Sequence, residues 1–137
     1  DLQMNVLETE WWTLALPPEW WAESEEDSIL VGDQDDVGCI EISTLQKEHG
    51  LFERDTVQSI AQTESEQPLD WKSVTLGEFV GVSSSYVQEE TAVREWYVSN
   101  GALLLFITYS CAEENRGMDD AAVDEILDTL MVQGDRP

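Results

Sequence analysis

The chain has 137 residues, 42% of them apolar and six of them Trp, which is enough material for one hydrophobic core and excludes a globally disordered sequence. Thirty Asp and Glu oppose six Lys and Arg, a formal net charge of -24. That field repels phosphate backbones and anionic lipid, and so excludes nucleic acid and a negatively charged membrane surface as direct ligands.

The charge has two readings. It steers the protein toward a basic protein partner, because complementary fields raise encounter rates and fix orientation, or it only keeps the surface hydrated. The longest apolar run, Ala102 to Ile107, is six residues, far short of the roughly 20 that a membrane-spanning helix needs. The sequence opens at Asp1 without the basic and then apolar start of a signal peptide, which reads as a processed or trimmed product, with a cytoplasmic address slightly favoured over export. Cys39 and Cys111 allow one internal disulfide or two reduced thiols, so they leave the compartment and the oxidation state open.

Taken in chain order, residues 1–10 read as a loose leading segment of one α+β domain spanning 1–137. Trp11 to Leu16 is a first strand, stopped by Pro17-Pro18, which cannot continue a hydrogen-bonded ladder. Trp20 to Glu23, Ser28 to Val31 and Gly38 to Leu45 follow as a meander, separated by the acidic turns Glu25-Glu26-Asp27 and Asp33-Gln34-Asp35-Asp36. Phe52, Thr56, Val57, Ile60 and Ala61 then recur at helical spacing, which predicts a helix from Phe52 to about Thr63. Glu64 to Asp70 carries Ser65, Gln67 and Pro68 and reads as a loop, with strands resuming at Trp71.

Phe79 to Gln88 alternates and turns at Glu89-Glu90 into Ala92 to Val98. That strand and Ala102 to Ser110 flank Ser99-Asn100-Gly101, a sequence suited to the positive φ angles of a tight hairpin. A closing helix follows Gly117, with Asp119 and Asp120 at its positive end and a Val123, Ile126, Leu127, Leu130 stripe. The predicted class is α+β, a mainly antiparallel sheet of about six to eight strands with two packed helices, in strands-helix-strands-helix order.

This layout resembles the PsbP-like α/β sandwich superfamily, which includes PsbP subunits, a Ran-release factor, DcrB proteins and type VI effector chaperones. The likeness rests on Trp12-Thr13-Leu14-Ala15-Leu16-Pro17-Pro18-Glu19-Trp20 as strand, proline turn and Trp, then the mid-chain helix, the long hairpin and the closing helix through Leu130. The resemblance covers nearly the whole chain and implies binding rather than catalysis. No residue role transfers with it.

Candidate sites are sparse. Asp33-Gln34-Asp35-Asp36-Val37-Gly38 starts like a calcium loop, yet Thr44 stands where the bidentate Glu is required, so an EF-hand is excluded and a solvated turn is the better account. Cys39, Cys111 and His49 match no zinc spacing. Cys39 reads as a structural thiol and His49 as a loop residue, and an enzyme would need the fold to bring Cys39 or a carboxylate cluster into a cleft. Gly81-Val82-Ser83-Ser84-Ser85 lacks the closing Gly of a nucleophile elbow and reads as strand. No catalytic residue, metal or cofactor is expected.

Trp11-Trp12 and Trp20-Trp21 are informative because neighbours in a strand point to opposite faces, so each pair sends one indole away from the core. A covering element or a partner must meet those rings. Trp71 and Trp96 are expected in the core. The expected function is therefore a non-catalytic protein-binding domain of adaptor, chaperone or immunity type for a basic partner, with Trp11, Trp12, Trp20, Trp21, Asp33, Asp35 and Asp36 as candidate contacts. The alternatives are a pocket for a small apolar or aromatic ligand between sheet and helix, or an acidic domain whose charge serves only solubility.

Overall fold

The computed structural model describes residues 5–64 and 69–133. In order they form β1 (Asn5–Glu8), β2 (Trp12–Leu16), β3 (Trp20–Ser24), β4 (Ile29–Asp33), β5 (Gly38–Gln46) and α1 (Arg54–Glu64). After these come β6 (Lys72–Leu76), β7 (Phe79–Gln88), β8 (Thr91–Asn100), β9 (Leu103–Ala112), α2 (Asp120–Leu127) and β10 (Met131–Val132). The class and the helix order are those the sequence predicts. The strands, however, divide into two antiparallel sheets, β1-β2-β10 and β3-β4-β5-β9-β8-β7-β6.

The division begins at Pro17-Pro18. Neither residue has an N–H to extend the β2 ladder, and the Trp20 N–H closes a turn on the Pro17 carbonyl at 3.0 Å, so the chain crosses to the other layer. The leading segment needs correction. Asn5–Glu8 are a strand paired to β2 from Asn5 opposite Leu16 to Glu8 opposite Thr13, while residues 1–4 lie outside the described ones. β1 is mostly exposed, so no apolar alternation announced it. The loop predicted over Glu64 to Asp70 also falls partly outside, at residues 65–68.

The large sheet has an inner and an outer face. On the inner face Ile40, Ile42, Trp96, Val98, Leu105 and Ile107 pack against Trp12, Leu14 and Leu16 of β2 and against Val123, Ile126, Leu127 and Leu130. The Val123, Ile126 and Leu127 stripe of α2 is therefore buried, as a 3.6-residue period requires of a one-sided helix, whereas Leu130, predicted within that helix, is buried three residues beyond its end. On the outer face α1 lays Val57 and Ala61, with Phe52 before it, on Val82, Tyr97 and Leu104. Tyr97 stacks on Phe106 at 4.6 Å and meets Trp71 edge-on at 5.6 Å. Trp71 thus belongs to this satellite cluster rather than to the main core, and its buried Nε1 has no hydrogen-bond partner.

Two turns fix the register. Gly101, at φ +59°, closes the Asn100–Leu103 hairpin. Gly77, at the same angle, closes β6 to β7 where a Cβ would strike the Leu130 backbone. Around Gly77, the Glu78 N–H donates to the Leu130 carbonyl at 2.9 Å, and Glu78 Oε1 accepts from the Val132 N–H at 2.8 Å. The turn thereby clamps the segment that becomes β10.

Candidate functional site

Strand alternation separates Trp20 from Trp21 as predicted, but not Trp11 from Trp12: Trp11 precedes β2 and, like Trp12, packs toward the main core and β5, so of the four only Trp21 is sent to the outer face. Trp12, 1% exposed, and Trp20, 9% exposed, are core residues, which removes both from the set of candidate partner contacts. Trp21 is 39% exposed on the outer face, and Trp11 is partly buried beside the small sheet.

Trp21 lies across Gly32, its partner in the β3–β4 ladder. A Cβ on Gly32 would stand 2.6 Å from Trp21 Cζ2, so only glycine lets the ring lie flat. Its Nε1–H donates to the Asp33 carbonyl at 3.1 Å. Asp33 in turn shapes the following turn, with Oδ1 accepting from the Asp35 N–H at 2.9 Å and the Asp36 N–H at 3.2 Å, and Asp36 takes φ 58°. The predicted solvated turn is therefore an Asx turn. The fold brings Trp21, Asp33, Asp35 and Asp36 together, with Glu23 and Glu41 on the same face of the sheet by register. α1 packs on β7 and β8 at the other end of that sheet, and among the described residues no helix lies over this half.

Trp11 and Trp12 occupy a different place. They line a cleft of about 310 Å³ between the two sheets, together with Ile29, Ile42 and the β3–β4 turn residues Glu25, Glu26 and Asp27. Trp12 Nε1–H donates to Thr44 Oγ1 at 2.8 Å and Trp11 Nε1–H to Gln46 Oε1 at 3.3 Å, so both indoles are anchored across the layers. Nothing in the sequence pairs the Glu25-Glu26-Asp27 turn with Trp11. Only the packing of one sheet on the other does so.

The chemistry-bearing side chains are dispersed. Cys39 and Cys111 are both free thiols. Gly38 pairs with Cys111 and Cys39 with Ser110, so the two cysteines point to opposite faces of the sheet and cannot bridge within one molecule. Burial pushes the Cys39 thiol up, and Glu41 and Asp36 push it further, against a backbone hydrogen bond from Val31. That keeps it protonated. His49 is an exposed loop residue beyond the far end of β5, about 20 Å of extended strand away from Cys39. Among the described residues no group of three metal-ligating side chains converges, and no helix is long and apolar enough to cross a membrane.

Tyr109 is a buried polar side chain with a partner on the α2 side. Its hydroxyl donates to Asp119 Oδ2 at 2.7 Å, just ahead of α2, and rests where a Cβ on Gly38 would stand. Burial, and then the Asp119 carboxylate, push its pKa upward. The contact is structural, because it ties β9 to the start of α2.

This architecture has known counterparts. No family model matches the sequence, and comparison with curated proteins finds no match. Among solved structures the chain is similar to a protein from Bacteroides thetaiotaomicron, with 16% identity and a TM-score of 0.67 over 91% of this chain, which spans 46% of that one. It is also similar to the cyanobacterial PsbP (CyanoP) of Synechocystis, with 10% identity and a TM-score of 0.63 over 96% of this chain and 92% of that one. LpqN, involved in cell envelope biogenesis of Mycobacterium tuberculosis, gives 18% identity and a TM-score of 0.60 over 97% and 92%. The fold is PsbP-like. At these identities the likeness carries the architecture alone.

Proposed function

We propose that the chain is a non-catalytic protein-binding domain of the adaptor, chaperone or inhibitor kind, whose bare outer sheet face receives a basic segment of a partner protein. The observation that carries this reading is Trp21, held flat over Gly32 with its N–H on the Asp33 carbonyl, at the start of the acidic turn that runs through Asp35 and Asp36. An exposed aromatic plate edged by carboxylates is complementary to Arg and Lys side chains, which stack on the ring while their charge meets the acids. The net charge of -24 adds long-range attraction for the same partner. The protonated Cys39 and its distance along β5 from His49 support a binding role over a catalytic one.

The test compares wild type with Trp21→Ala/Asp35→Asn/Asp36→Asn as baits in native lysate at low and high salt. Asp33 is left intact because it builds the turn. The reading expects a basic protein that wild type retains at low salt, that high salt releases, and that the variant retains about tenfold less. Recovery of no protein that depends on both salt and these three residues would count against it.

A further inference from the structure

We infer that the inter-sheet cleft at Trp11 and Trp12 is a second site, distinct from the Trp21 face, and that it takes a small organic cation with an aromatic or aliphatic body. The inference starts from which hydrogen-bonding groups are already engaged. Both indole N–H donors are held inside the protein by Thr44 and Gln46. The Thr9 hydroxyl donates to the Trp12 carbonyl at 2.9 Å, and the Ser28 hydroxyl donates to Glu41 Oε2 at 2.7 Å. Trp12 and Ile42 are closed off from water, so what the cleft leaves for a ligand is the partly exposed ring of Trp11, the side chain of Ile29, and the carboxylates of Glu25, Glu26 and Asp27.

No Lys, Arg or His lines the cleft. The contrast with a cleft of about 320 Å³ elsewhere on the protein is direct, because that one is lined by Lys72 and Arg94, and its Arg94 is already paired with Asp120 and Asp124. At the Trp cleft the carboxylates have no internal cation. An anionic ligand meets three like charges there, and a neutral apolar one leaves the acids unmatched. A cation with an apolar body satisfies both walls, with its ring or chain against the partly exposed Trp11 and Ile29 and its ammonium at the acidic turn. A volume of about 310 Å³ lies at the small end of ligand sites, which limits the occupant to a compact amine rather than a lipid or a nucleotide.

The pocket that the sequence suggested between sheet and helix is thus found between the two sheets, and its rim changes the ligand from neutral to cationic. The reading does not rest on the basic-partner proposal, which concerns Trp21.

The test follows the indole N–H signals of the full chain by nuclear magnetic resonance while 2-phenylethylammonium, the neutral 2-phenylethanol or methylammonium is added. The aromatic amine should shift the Trp11 signal saturably, and the alcohol should bind about tenfold more weakly. Methylammonium feels the same field but has no apolar body, and should leave that signal in place. Glu25→Gln/Glu26→Gln/Asp27→Asn, all exposed turn positions, should bring the amine down to the affinity of the alcohol. Equal affinities for amine and alcohol in the native chain, an unshifted Trp11, or an amine preference that survives the triple substitution would each overturn the inference.

Discussion

The two faces of the seven-stranded sheet are built from alternate residues of the same strands, yet they have different fates. The inner face is roofed by β2 and α2, which close Ile40, Ile42, Trp96, Val98, Leu105 and Ile107 off from water, while Arg94 at its margin pairs with Asp120 and Asp124 of α2. The outer face is roofed only where α1 lies, and beyond it the strands carry Glu23, Glu41, Ser110 and the half-exposed Trp21. The difference teaches that one alternating pattern can encode a core on one side and an exposed, partly acidic face on the other. Adjacent residues therefore serve as matched probes of the two.

Leu104 and Leu105 give the largest expected contrast, being neighbours in β9 with the same side chain. Leu105→Ala opens a cavity in the main core and should cost about 4 kcal/mol in urea unfolding, whereas Leu104→Ala, under a single helix, should cost about 2 kcal/mol. Equal losses would mean that the two faces are packed alike. Next come Gly38 and Gly32, each beneath an aromatic ring. Gly38→Ala must push buried Tyr109 off Asp119 and should cost about 2 kcal/mol, while Gly32→Ala displaces only exposed Trp21 and should cost under about 1 kcal/mol.

The two buried tyrosines sharpen the comparison with pH. Both have folded pKa values above the ordinary 10.0: burial, and then Glu95, push Tyr97 up to about 12, and Tyr109 is pushed further by burial and Asp119. The folded state therefore holds protons that the unfolded chain releases. Stability is fully present below pH 10 and falls as pH rises through the folded values. Tyr97→Phe should remove the part of that fall lying between about pH 10 and pH 12 in thermal melts, and Tyr109→Phe the part extending above it. An unchanged alkaline profile in both variants would show that neither phenol is shielded.

The smallest effect concerns the thiols. Cys39, partly exposed on the outer face, should react with a thiol reagent in the native state, and Cys111, buried on the inner face, should react only after unfolding. The Cys39 reaction should be slow near neutral pH because its thiol is held protonated. Modification of Cys111 at the Cys39 rate would break the inner and outer distinction.

Much of this arrangement could be read before the fold was seen, and the reasons are local. Asn100-Gly101, the Val123, Ile126 and Leu127 stripe and the opposed faces of Trp20-Trp21 follow from turn chemistry and from periods of 3.6 and 2, while Trp11, which precedes β2, escapes the alternation. β1 and β10 escaped because a mostly exposed strand and a two-residue strand leave no periodic trace. The split into two sheets is signalled only by Pro17-Pro18, and those residues mark a break without saying where the chain goes next. The cleft escaped for the same reason. Trp11 and Glu25-Glu26-Asp27 belong to different layers, and no spacing along the chain encodes that meeting.

The clamp at Gly77 has a consequence for the order of assembly. β2 lies between β1 and β10, so one of its edges stays bare until Met131 and Val132 arrive opposite Thr13 and Trp12. Native hydrogen bonds from the β6–β7 turn hold Leu130 and Val132 in place, so docking of β10 is expected to follow formation of that turn. Closure of the small sheet is thus a late event of high sequence separation. Pulsed hydrogen exchange should find the β2 amides that face β10 protected after those of the β7–β8–β9 hairpins.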